Sequence, residues 1–91
     1  MAYTYETDPE FKTNFKRLTK KNKVLAERIG SKIKDICEYP ERGEPLSGNL
    51  AGKWSIHVAN HYVILYKIRD KDKIVTLLSV KHHDYVYGKK L

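Results

Sequence analysis

The spacing of apolar positions changes twice along the chain. Near the start, AYTYE alternates and is rich in Tyr and Thr, which predicts a short strand. TDPEF then opens a helix: Thr7 or Asp8 can cap it, Pro9 suits its first position, and Glu10 favours the positive end of its dipole. Phe11, Phe15 and Leu18 recur at spacings of four and three, an apolar stripe on one helical face. TKKN ends that helix with no apolar residue, and a second helix follows over Lys23 to Glu38. In it Leu25, Ile29, Ile33 and Ile36 share a face, Gly30 either weakens the helix or admits a close neighbour, and Pro40 stops it. The short polar join predicts an antiparallel helical hairpin.

Beyond Pro40 the period becomes two. PERGEPLSGNLAGK is predicted as a long loop. KWSIHVA is a strand with Trp54, Ile56 and Val58 on one face and Ser55 and His57 on the other. A tight turn at Asn60 and His61 follows, with Asn as the residue that tolerates a left-handed conformation. YVILYKI is apolar enough for a central strand, RDKDK is a charged turn, and IVTLLSV is the last long strand, running into KHHDYVYGKKL. The order β-α-α-β-β-β predicts an α+β fold, a helical hairpin packed on one face of a small, curved, mostly antiparallel sheet. The other face is expected to be open and to carry Ser55, His57 and the residues after the last strand.

Length confines this to one domain over residues 1–91. Charge adds a partner class: 18 Lys and Arg against 11 Asp and Glu give a net +7, which favours an anionic partner such as nucleic acid. Cys37 is the only cysteine, so no internal disulfide can form, as fits a reducing compartment. The first twelve residues lack the apolar core of a signal peptide, and no window approaches the roughly 18 apolar residues of a membrane span. A cytoplasmic protein with no membrane partner is expected. All 4 histidines lie between His57 and His83, and imidazoles can serve as acid and base near neutral pH. A zinc site is not expected, because the single cysteine falls on the second helix and cannot complete a ligand set; no cofactor is expected either.

Three stretches, PLSGNLAGKWSIHV, YVILYKI and VTLLSVKHHDYVY, together resemble the RelE/ParE superfamily of toxins from toxin–antitoxin pairs. They match its Pro-Leu-Gly loop, its aromatic-led strand, its Tyr-ending central strand, and its final strand leading to a His- or Arg-rich segment closed by an aromatic. The resemblance runs from about Tyr3 to Tyr87. It implies the RelE-like fold and, for the family's ribonuclease members, metal-independent cleavage of mRNA at the ribosome by attack of a 2′-hydroxyl. The closest likeness is to the histidine-using YafQ-like and YoeB-like branches. It implies catalytic roles for His57, as their strand histidine, for His83, four residues before Tyr87, for Tyr87 itself, and for Glu44 before Pro-Leu. Many members carry Arg after the aromatic that opens the central strand; here that position is Val63. Phosphate charge must then be met elsewhere, and Lys53, His61, Arg69, Lys81, His82 and Lys89 are the candidate substrate contacts. The implied partners are a cognate antitoxin, the ribosome with its mRNA, and operator DNA bound by a toxin–antitoxin hetero-oligomer. Two alternatives share the fold or the charge: a ParE-like inhibitor of DNA gyrase without ribonuclease activity, and a non-toxic RNA-binding module. The clustered histidines argue against gyrase inhibition, which needs no acid/base groups.

Overall fold

In the computed structural model, which describes residues 2–86 (the side chains of residues 85 and 86 excepted), the elements run β1 (Thr4–Thr7), α1 (Pro9–Thr19), α2 (Lys23–Glu38), β2 (Glu44–Pro45), β3 (Trp54–Val58), β4 (Tyr62–Arg69), β5 (Ile74–His82) and α3 (His83–Val86). The strands form a five-stranded sheet in the order β1-β5-β4-β3-β2. β2 to β5 pair antiparallel, while β1 pairs parallel to β5, Thr4 opposite Ile74 and Thr7 opposite Leu77. The α+β class and the packing of both helices against a mostly antiparallel sheet are as the apolar spacing predicts.

Local chemistry explains the helices. Pro9 sits in the first turn of α1 behind Asp8, although Asp8 makes no side-chain capping bond. Asn22 caps α2 by accepting from the Leu25 backbone N–H at 3.0 Å. The faces read from the sequence are buried: Phe11, Leu25, Ile29 and Ile36 join Val58, Ile64, Tyr66, Val75, Leu77 and Val80 in one core, with Phe15, Leu18, Ile33, Trp54 and Ile56 packed around it. Gly30 admits no close neighbour; a Cβ there would meet nothing within 4 Å.

Three expectations are corrected. The stretch after Pro40 is not a plain loop: 3₁₀ turns at Pro40–Arg42 and Gly48–Leu50 flank β2, which extends the sheet by pairing Glu44 with Ser55 and Pro45 with Trp54. Glu44 therefore stands on an edge strand. The left-handed residue of the β3–β4 turn is Ala59, at φ 55, rather than Asn60. Ser55 lies on the face away from the helices but is buried, in register between Glu44 and Leu65 of the flanking strands.

Two further details position the site. Leu78 is the extra residue of a bulge in β5, since Leu65 pairs with Ser79 and Tyr66 with Leu77. Beyond Leu77 the edge of β5 has no strand neighbour among the described residues, because β1 gives way to α1. There the buried Asn14 side chain accepts from the Val80 backbone N–H at 3.2 Å and takes the place of a strand partner. Among the described residues no helix is long and apolar enough to cross a membrane.

Candidate active site

The sheet brings all four histidines to one end. His57 is near the end of β3, His61 is in the following turn, and His82 and His83 stand where β5 passes into α3. Pairing sets the arrangement: Val63 lies opposite both His57 and Lys81, and Tyr62 lies opposite His82. The ladder closes on the His83 backbone N–H, which donates to the His61 carbonyl at 2.7 Å.

That closure separates the adjacent imidazoles. The His83 ring meets His57, with centroids 6.2 Å apart and planes at 39°. The His82 ring instead meets Tyr62 edge-on at 5.8 Å and stacks on His61 at 5.8 Å. The two rings remain neighbours, 6.4 Å apart and steeply inclined. His57, His61 and His83 are exposed.

Val63 supplies no charge between His57 and Lys81. Lys81 lies two strands from His57, about 9–10 Å at ordinary strand spacing. Its ammonium is 2.6 Å from the Glu10 carboxylate, at the start of α1. Glu44 shares the face of Ser55, two residues from His57, a diagonal relation of about 7–8 Å between backbones. Lys53 precedes β3 on the same parity, with its carbonyl accepting from the Leu46 N–H at 2.9 Å.

Arg69 is not brought to this end. It lies six residues along β4 from Val63, about 20 Å away. It is held between Glu6 at 3.1 Å and Asp72 at 2.9 Å. Glu6 also accepts from Thr76 Oγ1 at 2.9 Å, so this network ties β1, β4 and β5 together at the opposite end. Tyr87 and Lys89 lie outside the described residues.

Asp84 is the residue the sequence reading passed over. Its carboxylate is 3.2 Å from Nδ1 of His83 and 3.8 Å from Nδ1 of His82, and its backbone N–H donates to Nδ1 of His82 at 3.2 Å. Its place directly after two histidines was the available signal. Among the described residues no three His, Cys, Asp or Glu side chains are placed to hold a metal ion.

Behind Glu44 the polypeptide is fixed by Tyr66. This buried phenol donates to the Pro40 carbonyl at 2.7 Å and receives the Gly43 backbone N–H. Burial pushes its pKa up to about 12, against the opposing effect of the Gly43 hydrogen bond. A Cβ on Gly43 would fall against the Tyr66 hydroxyl and 2.6 Å from the Ser55 carbonyl oxygen, so only glycine leaves room here.

The comparison with known families is decisive: the model described as the ParE toxin of type II toxin–antitoxin systems, parDE, matches residues 5–87. The chain belongs to the ParE toxin family. Within the wider RelE/ParE superfamily it is 35% identical over 66 residues to Toxin YoeB of Synechocystis sp., covering 68% of this chain and 74% of that one. Its fold superposes on the toxin–antitoxin complex RelBE2 of Mycobacterium tuberculosis with TM-score 0.79 at 28% identity, covering 91% and 93% of the two chains. YafQ of E. coli shares the fold at TM-score 0.76 and 15% identity, over 94% and 99%. The family match spans β1 to the residue after α3, so the histidine cluster falls within the shared domain.

Proposed function

We propose that this ParE-family toxin is a ribosome-dependent mRNA endonuclease and that His57 and His83 are its acid/base pair. The observation that carries the reading is the meeting of those two imidazoles, 6.2 Å apart, at an exposed end of the sheet of a chain with net charge +7. The reaction needs a base for the 2′-hydroxyl, an acid for the departing 5′-oxygen, and positive charge near the phosphorane. His83 takes the 2′-hydroxyl proton as that oxygen bonds to phosphorus. The bond from phosphorus to the 5′-oxygen breaks, and His57 in its protonated form gives that oxygen a proton. The products are a 2′,3′-cyclic phosphate and a 5′-hydroxyl, so no water, metal or oxidant enters the step.

Lys81 supplies charge, exchanging Glu10 for a phosphate oxygen when RNA binds. Glu44 supports His57 from the edge strand, and Lys53, His61 and His82 contact the RNA flanking the cleaved bond. Tyr87 stacks on a base or assists proton transfer, and Lys89 binds phosphate. A cognate antitoxin is the expected protein partner, as in the M. tuberculosis complex similar to this chain. Repression by a toxin–antitoxin hetero-oligomer on operator DNA belongs to the same proposal.

The test is purified protein added to translating ribosomes, with the mRNA ends mapped, beside a gyrase supercoiling assay. Cleavage inside the ribosome, insensitive to EDTA and leaving 2′,3′-cyclic phosphate ends, is expected, with supercoiling untouched. Intact mRNA together with blocked supercoiling would replace this reading with gyrase inhibition.

A further inference from the structure

We infer that Asp84 is a positioning residue that sets opposite tautomers on the two adjacent imidazoles, with the proton on Nδ1 of His83 and on Nε2 of His82. Two contacts on one residue, a hydrogen bond to His82 and a carboxylate beside His83, favour this arrangement. The Asp84 backbone N–H can only donate, and it points at His82 Nδ1 at 3.2 Å. That nitrogen must therefore carry a lone pair, which puts the proton of neutral His82 on Nε2. The Asp84 carboxylate can only accept, and Oδ1 lies 3.2 Å from His83 Nδ1. That nitrogen is favourably placed only with a proton on it, which leaves the lone pair of neutral His83 on Nε2.

The local fold makes the contacts possible. His82 ends β5 and precedes the first residue of α3, the N-cap position, where a side-chain acceptor meets the N–H two or three residues on. His82 fills that role with a ring nitrogen in place of the usual hydroxyl or carboxylate. The longer contact, 3.8 Å from His82 Nδ1 to Asp84 Oδ2, is then a proximity and not a second hydrogen bond, since Nδ1 is already the acceptor. One residue thus presents a donor to one imidazole and an acceptor to the next.

The consequence for catalysis rests on the ribonuclease reading. A general base must offer a lone pair to the 2′-hydroxyl, and an imidazole with a carboxylate beside its Nδ1 keeps the proton there and offers Nε2. Asp84 makes His83, and not His82, the ring with its outer nitrogen unprotonated. His82 presents an Nε2–H donor, suited to a phosphate or base oxygen and unsuited to proton abstraction. The division of roles between two adjacent histidines then follows from one neighbouring residue.

Long-range ¹H–¹⁵N correlation spectra of histidine-labelled protein, recorded above the imidazole titration range, read the tautomers directly. The wild type is expected to show His83 mainly as Nδ1–H and His82 mainly as Nε2–H. Asp84→Ala keeps the backbone N–H and removes the carboxylate, so His83 shifts to Nε2–H while His82 stays as it was. Asp84→Asn retains an acceptor oxygen and restores part of the Nδ1–H signal. In single-turnover cleavage Asp84→Ala lowers the rate on the order of 10- to 100-fold, the cost when an imidazole loses its orienting partner, with RNA affinity unchanged. A wild-type His83 found mainly as Nε2–H, or a His83 tautomer unmoved by Asp84→Ala, would overturn the inference. Protein with both tautomers as stated, responding to Asp84→Ala, but without cleavage activity would support the inference and remove the ribonuclease reading.

Discussion

Replacing Gly43 by alanine tests how the edge strand carrying Glu44 is held. Gly43 has φ −74 and ψ −167, an extended conformation open to any residue, so backbone strain is not the issue. Space is: the added methyl would meet the Tyr66 hydroxyl and lie 2.6 Å from the Ser55 carbonyl oxygen. Tyr66 is fully buried and Ser55 is 2% exposed, so neither retreats into solvent. Overpacking of this kind costs about 1–3 kcal/mol. Pushing the hydroxyl off the Pro40 carbonyl, 2.7 Å away, adds about 1 kcal/mol or more for a buried polar group left unpaired. A total of about 2–4 kcal/mol corresponds to a fall in Tm of roughly 10–25 °C for a domain of this size. Differential scanning calorimetry of Gly43→Ala reads that fall. The mechanism has a second signature: in Tyr66→Phe, which lacks the hydroxyl, Gly43→Ala should cost about 1 kcal/mol less than in wild type. A Gly43→Ala protein melting within about 2 °C of wild type would refute the close-packing argument. So would equal costs in the two backgrounds.

Gly30→Ala is expected to stabilise the chain by up to about 1 kcal/mol, read as a raised urea midpoint, because the helix gains propensity and the new Cβ meets nothing within 4 Å. Tyr66 predicts loss of stability at alkaline pH: its folded pKa is about 12 against 10.0 in the unfolded chain. Below pH 10 both states keep the proton and nothing changes. Between 10 and 12 the unfolded chain ionises first, so stability falls by up to about 1.4 kcal/mol per pH unit. Urea titrations across that window should show this slope in wild type and a shallower one in Tyr66→Phe. Asn14→Ala leaves the Val80 N–H without its Asn14 partner where β1 no longer pairs with β5, and should cost about 1–3 kcal/mol in the same assay.

Periodicity revealed the parts of this fold whose burial is set locally. The α2 bounds Lys23–Glu38 and the apolar faces of both helices follow from the recurrence of Leu, Ile and Phe, because a helix buries one stripe whatever it packs against. What escaped depends on contacts distant in sequence. β2 is two residues long and includes a proline, too short to show alternation, and it exists because β3 offers an edge. The parallel pairing of β1 with β5, and the burial of Asn14 where that pairing ends, follow from the chain's return path. Residue type and family likeness singled out His57 and His83, and the structure places their rings together. Arg69 has the right charge for phosphate, but its position along β4 commits it to Glu6 and Asp72 at the other end. Asp84 was missed because its importance is geometric: only the turn from β5 into α3 sets its N–H and carboxylate against two different rings.

The most direct test of the acid/base pair is single-turnover cleavage of mRNA on programmed ribosomes by wild type, His57→Ala, His83→Ala and the double variant. Each single change is expected to slow cleavage by about 10²–10⁴-fold, the usual contribution of a positioned acid or base. The double variant should fall well short of the product of the two losses, because both groups act in one transition state. Cleavage by the double variant at the wild-type rate would contradict the assignment of His57 and His83 as the catalytic pair.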